Sequence, residues 1–189
     1  MKFLRPLFYK KHGTERGYVR HILALCDYYL GRIEDYKSIE HTRVKRVVFV
    51  CLGNICRSSY AHHYAKANEL GRPIASLGLS TTTGVGANDV AIAVAKNNNI
   101  DMNPHKATDL TDFEVMEGDL FLVMEIRQAN RLRAQLPNVK DVQIGLLGNY
   151  CQPVHPHLHD PYLLSQEYFE HCFRLVEDAV QNLKTQLKK

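Results

Sequence analysis

The sequence predicts an α/β protein: a doubly wound, four-stranded parallel sheet with helices on both faces, preceded by an N-terminal helical stretch. Three observations carry that expectation. From Lys45 onward, strand-like apolar runs alternate with blocks of helical periodicity. The runs at 46–51 and 119–124 read as buried strands. The first of them, ending Val47-Val48-Phe49-Val50-Cys51, passes through a short Gly/Asn loop into a helix at Arg57-Ser58.

Each element follows from its own pattern. The stretch 18–30 (Tyr18, Val19, Ile22, Leu23, Leu25, Cys26, Tyr29, Leu30) has helical spacing with a broad apolar face, and Gly31 closes it. Strand one at 46–51 is followed by a helix over 58–70. Strand two is expected at 74–79, then a helix over 89–98 with Ala91, Ile92 and Ala95 on one face. The strand at 119–124 leads to a helix over 126–136 that Pro137 stops, and a short fourth strand is expected at 142–146. A closing helix over 165–187 carries an inner stripe of Tyr168, Cys172, Leu175, Val176 and Ala179. Sheets of this kind bind ligands at the carboxyl ends of their strands, where Cys51 falls.

The loop after strand one has the makings of an anion site. A loop between a strand's carboxyl end and a helix's amino end directs backbone N–H groups into one bowl, and the helix dipole adds positive potential there. Cys51 sits at its floor, where that field suits an anionic sulfur. Arg57 can return over the rim with a planar fork matched to two phosphate oxygens. A thiolate, a nest of amides and a guanidinium suffice for phosphoryl transfer without metal.

At these residues the chain resembles a known family. Cys-x5-Arg-Ser is the signature of cysteine-dependent phosphatases, and Val50-Cys51-x-Gly53-Asn54-x-Cys56-Arg57-Ser58 is similar to the narrower form of the low-molecular-weight protein tyrosine phosphatases. The resemblance implies a flavodoxin-like sheet and a division into an extension, 1–43, and a catalytic domain, 44–189. It implies Cys51 as nucleophile, Arg57 as phosphate ligand, and Leu52, Gly53, Asn54, Ile55, Cys56 and Ser58 as the phosphate-binding loop. Asp160-Pro161-Tyr162 matches the family's Asp-Pro-Tyr, making Asp160 the general acid and Tyr162 a ring beside the substrate. Asn54 would hold the loop's shape, and Ser58 would help the sulfur act as a leaving group. Cys56 would form a reversible disulfide with Cys51 or rest as a buried thiol. Ser76 and His105 match family residues that support the loop, Ser76 by bonding Asn54.

The chain also departs from the family. Ser59-Tyr60-Ala61-His62 replaces the usual Pro-led run, Thr108 stands at a usual Arg, and Met124-Glu125 stands where Met-Asp is usual. Ser80-Thr81-Thr82-Thr83 and Leu163 replace pocket aromatics, which leaves the strength of phosphotyrosine preference open.

Composition bounds the alternatives. The 189 residues suit one domain with a sizeable core, and a net charge of +4 suits an anionic substrate without arguing for nucleic acid. Lys2, Arg5, Lys10, Lys11, Arg16 and Arg20 concentrate basic charge at the N-terminus. The five cysteines (Cys26, Cys51, Cys56, Cys151, Cys172) are irregularly spaced, which points to reduced thiols in a cytoplasmic setting. No apolar run is long enough to span a membrane, and no signal peptide is expected. His155, His157 and His159 alternate on one segment, but without a clear fourth ligand the expectation is solvated or rim histidines rather than a metal. No cofactor is expected. The expected partner is a phosphotyrosine protein; the extension reads as a helix packed on the domain, with a homodimer interface, a partner-binding arm or, on its basic residues, a membrane-surface contact as the other readings.

Three other functions share the scaffold or the motif. Arsenate reductase needs relay cysteines, and only Cys151 and Cys172 lie late in the chain. Phosphoarginine phosphatases carry Thr before the second cysteine, where this chain has Ile55. A non-catalytic phosphopeptide-binding module would not need Cys51, Arg57 and Asp160 together.

Overall fold

A computed structural model describes residues 4–136 and 138–188, with side chains from residue 7 onward. Lys2, the Arg5 side chain and Pro137 lie outside the described residues. The chain opens with helices α1 (Leu4–His12) and α2 (Glu15–Tyr29), then two short 3-10 turns at Glu34–Tyr36 and His41–Arg43. Strand β1 (Arg46–Cys51) leads to α3 (Arg57–Ala67), β2 (Ile74–Gly78), α4 (Asp89–Asn97), β3 (Asp119–Val123), α5 (Ile126–Gln135), β4 (Gln143–Leu146) and α6 (Gln166–Leu187). The strands pair in the order β2-β1-β3-β4, all parallel. This is the doubly wound sheet the apolar runs predict.

The strands' two-residue alternation builds two cores. Val47, Phe49 and Cys51 of β1 face one cluster with Tyr60 and Ala61 of α3, Ala91 and Val94 of α4, and Phe169 and Phe173 of α6. Val48 and Val50 face the other, with Ala129 and Leu132 of α5 and, from the N-terminal extension, Ile33 and Tyr36. The first core is fastened by Tyr60 stacked on Phe173 at 3.7 Å and 7°. Because β1 is central, its carboxyl end opens between β2 and β3, and Cys51 sits there opposite Gly78.

The elements end close to where the sequence predicts, for local reasons. Helix α3 stops at Ala67 rather than 70 because Asn68 caps it and Glu69 turns to φ +49°. Ser165 caps α6 by accepting from Tyr168 N.

The extension differs more. Helix α1 was not legible as an element, and α2 starts earlier than expected because Thr14 caps it, its side chain accepting from Gly17 N at 2.9 Å. The apolar stripe of α2 does not form its buried face. Tyr18, Val19, Ile22, Leu23, Tyr29 and Leu30 are exposed, whereas Gly17 and Ala24 are buried. The helix is pressed inward by its smallest residues.

Candidate active site

Strand β1 delivers Cys51 to the sheet's carboxyl edge with only 3% of its surface exposed. The loop that follows turns on Asn54, fully buried at φ +52°, a left-handed conformation that Asn tolerates better than most residues. Four bonds over-determine that conformation. Asn54 N donates to Cys51 Sγ at 3.2 Å, and Asn54 Nδ2 donates to Ser58 Oγ at 2.8 Å. Asn54 Oδ1 accepts from Thr108 N at 3.0 Å, and the Asn54 carbonyl accepts from His105 Nε2 at 2.6 Å. A carbonyl oxygen only accepts, so His105 carries its proton on Nε2. Burial holds the His105 pKa below the ordinary value, against the opposing pull of that bond.

Ser58 Oγ lies 3.0 Å from Cys51 Sγ, so the sulfur has two polar neighbours from its own loop. Helix α3 begins at Arg57, and its N-cap residue Cys56 makes no side-chain capping bond. The first-turn amides are thus left to an anion at the helix N-terminus. Burial first, then the neighbouring Cys51 and Asp160, push the Cys56 thiol far above the ordinary range despite Arg57.

Arg57 is the largest charged group in the interior, with 1% of its side chain exposed. Its Nη1 donates to Glu125 Oε1 and to the Leu158 carbonyl, both at 2.9 Å, and its Nη2 lies 2.5 Å from Asp160 Oδ2. Its Nε is buried and has no protein partner, a donor suited to a phosphate oxygen. Glu125 in turn accepts from Arg127 Nε at 2.8 Å. Burial alone would raise the Glu125 pKa, but the Arg57 charge and hydrogen bond outweigh it and bring it down to about 2.

The segment bearing Asp160 hangs from the end of β3, where Leu158 N donates to the Met124 carbonyl at 2.9 Å. The Asp160 side chain is one-third exposed, and its Oδ1 accepts from Tyr162 N at 3.2 Å. Cys51, Ile55, Arg57, Asp160 and Tyr162 line one cleft of about 160 Å³, with Leu52, Gly53, Cys56 and Ser80 around them. Leu52 and Tyr162 stand half-exposed on its lip, and Leu163 projects into solvent at φ +62°. Cys51 and Arg57 of one loop therefore meet the distant Asp160 in one narrow opening.

The other sequence-derived residues fall as follows. His105 lies under the loop, whereas Ser76 sits buried on β2 opposite Phe49, and the Asn54 side chain bonds Ser58 and Thr108 instead of it. The alternating histidines are not solvated: His157 is buried, His155 stacks on His21 at 3.8 Å, and His159 bonds Thr14. Burial lowers His155 to about 3, with neighbouring histidines next, and His157 to about 4 against the opposing pull of Glu125. They are neutral at pH 7 and add no positive potential beside Asp160. Among the described residues no group of three or more His, Cys, Asp or Glu could hold a metal ion. Glu125 was missed as a site residue. Its signal was positional: an acidic residue directly after a buried strand adjacent to β1, at the sheet's ligand-binding edge.

A family model described as low molecular weight phosphotyrosine protein phosphatase matches residues 46–189. The chain belongs to that family. This phosphatase is 32% identical over 138 residues to the probable low molecular weight protein-tyrosine-phosphatase AmsI of Erwinia amylovora, covering 73% of this chain and 94% of that one. It is also 32% identical over 137 residues to the phosphatase Wzb of Escherichia coli K12, covering 71% and 90%. The crystal structure of the Erwinia amylovora tyrosine phosphatase AmsI matches the fold with a TM-score of 0.66 at 30% identity, covering 77% of this chain and 95% of that one. Residues 1–45 of the phosphatase stand outside the family match. Among its described residues no helix is long and apolar enough to cross a membrane.

Proposed function

We propose that this phosphatase hydrolyses phosphotyrosine on proteins, and aryl phosphates generally, through a cysteinyl-phosphate intermediate. In the first step the Cys51 thiolate attacks phosphorus in line, the bond from phosphorus to the aryl oxygen breaks, and Asp160 gives its proton to the leaving phenolate. The loop amides and Arg57 hold the equatorial oxygens through the charge-dispersed transition state. In the second step water attacks phosphorus, the Asp160 carboxylate takes its proton, and Cys51 leaves as a thiolate beside Ser58 Oγ and Asn54 N. The products are a phenol and inorganic phosphate.

The observation that carries this reading is the convergence of Cys51, Arg57 and Asp160 on one cleft, with Arg57 bridging the nucleophile loop to the acid. Substrate class rests on the cleft's shape. Its sulfur is recessed and its lip is formed by Leu52, Ile55 and Tyr162, which suits a flat ring on a long stem. Ile55 offers no polar contact to a guanidinium stem, which favours tyrosine over arginine phosphate. The five free thiols support a reducing compartment, the cytoplasm.

The test is turnover of a phosphotyrosine peptide, a phosphoserine peptide and phosphoarginine under reducing conditions, by wild type, Cys51→Ser and Asp160→Asn. Hydrolysis of phosphotyrosine alone, abolished by the first change and strongly slowed by the second, is the expected result. Wild-type inactivity on all three substrates would overturn the reading.

A further inference from the structure

We propose that the N-terminal extension positions the general acid, with Thr14 and Gly17 as positioning residues that act on Asp160 through His159. The proposal rests on Asp160 being the acid, and it assigns work to residues outside the family match.

Asp160 lies on a segment without regular secondary structure, so its place is set by what grips its neighbours. Arg57 Nη1 holds the Leu158 carbonyl at 2.9 Å. From α6, Tyr168 Oη reaches the His159 carbonyl at 3.3 Å and Cys172 Sγ reaches it at 3.8 Å. The imidazole of His159 is held by the extension. Thr14 Oγ1 lies 3.0 Å from His159 Nε2 while the same oxygen accepts from Gly17 N at 2.9 Å. One hydroxyl thus caps α2 and pins the ring next to the acid.

Packing makes the contact specific. A Cβ on Gly17 would stand 2.5 Å from His159 Cδ2 and 2.6 Å from the His12 carbonyl, closer than real atoms come. Only glycine lets α2 and the imidazole approach this far. The contact extends along the segment on both sides of Asp160. His21 stacks on His155 at 3.8 Å and 18°, and a Cβ on Gly13 would stand 2.8 Å from both Leu164 and Tyr168. The acid segment therefore meets the extension at His155, His159 and Leu164. This explains why α2 buries its small residues and not its apolar stripe.

A shift of about 1 Å in a reacting group can cost about 100-fold in rate, so losing this grip should act on proton donation. The chemistry provides a selective readout. A 2,4-dinitrophenolate leaves readily without a proton, whereas phenolate needs one, and kcat/KM reports the steps through cleavage of that bond. The experiment measures kcat/KM for phenyl phosphate and 2,4-dinitrophenyl phosphate with full-length wild type, Thr14→Val, Thr14→Ser, Gly17→Val and Asp160→Asn. Thr14→Val and Gly17→Val are expected to lose about tenfold or more on phenyl phosphate and under about threefold on the dinitrophenyl ester, following Asp160→Asn in direction. Thr14→Ser keeps the hydroxyl and should restore wild-type behaviour.

Equal losses on both esters would mean a merely structural role and overturn the proposal, as would wild-type values in both Thr14→Val and Gly17→Val. If Gly17→Val does not fold, Thr14→Val decides. A leaving-group-independent Asp160→Asn would show that Asp160 is not the acid, which overturns that assignment and this proposal with it.

Discussion

Arg57 and Glu125 form a buried ion pair at the carboxyl edge of the sheet, with Nη1 2.9 Å from Oε1 and neither side chain more than 2% exposed. Glu125 stands between β3 and α5 and Arg57 begins α3, so the pair ties the Cys51 loop to the end of the neighbouring strand. It also occupies one nitrogen of the guanidinium, which leaves Nε to a ligand. Without Glu125 the buried guanidinium would be left with the part-exposed Asp160 as its charge partner.

Glu125→Gln keeps the shape and removes the charge. The expected cost is about 3 kcal/mol of stability, together with a fall in kcat/KM because the guanidinium loses its anchor. Urea unfolding and aryl phosphate kinetics measure the two effects. An unchanged unfolding midpoint would mean that the pair carries no net stability.

Ser58 Oγ, 3.0 Å from Cys51 Sγ, is placed to stabilise the sulfur as it departs in the second step. Ser58→Ala should therefore slow dephosphorylation by about tenfold or more while affecting phosphorylation less. Stopped-flow turnover of p-nitrophenyl phosphate would then show a burst approaching one product per enzyme. A lower steady rate without a burst would place the serine's effect on the first step instead.

Phe173 lies flat against Tyr60, and both are fully buried at the centre of the first core. Phe173→Ala removes the stack and leaves a cavity, at a cost of about 3–5 kcal/mol. Denaturant unfolding checks the magnitude. At temperatures where the variant is folded, its kcat/KM should stay within a few-fold of wild type, because no atom of the ring lines the cleft.

Histidines buried between the extension, the acid segment and α6 predict a stability that depends on pH. Burial above all brings His21, His157 and His171 to about 4 and His155 to about 3, against about 6.5 in an unfolded chain, with Glu125 opposing the fall at His157. Above pH 6.5 both states leave these rings neutral. As pH falls from 6.5 towards 4 the unfolded chain binds protons that the fold excludes, so stability declines through that window. Urea midpoints measured from pH 7.5 to 4 should fall accordingly. His155→Gln should flatten the slope, and an unchanged slope would remove that ring from the account.

Much of this was readable along the chain. The strand, loop and helix from Arg46 to Ala67 are contiguous, and the spacing of Cys51, Asn54, Arg57 and Ser58 is set by local backbone geometry, so the motif already contains the bowl. The strands were legible because central parallel strands are apolar throughout. The face of α2 was not. Its apolar stripe pointed to one buried side, but the helix buries Gly17 and Ala24 instead, and at Gly17 the close approach to the imidazole of His159 requires it. Hydrophobic periodicity measures a helix's preference for burial, not how near its neighbour stands. Ser76 and Glu125 show the same limit: both lie near the loop, yet only Glu125 has the direction and length to reach a loop side chain.

The sequence by itself carried the pattern of strands and helices and the spacing of the Cys51 loop, because these are written in residues a few positions apart. Only the tertiary structure decided how the acid is held, which carboxylate anchors Arg57, and that the extension touches the site. The Arg57–Glu125, Arg57–Leu158 and Thr14–His159 contacts join residues 68, 101 and 145 positions apart, and which side chains meet across such distances follows from how the layers pack, which no local pattern encodes.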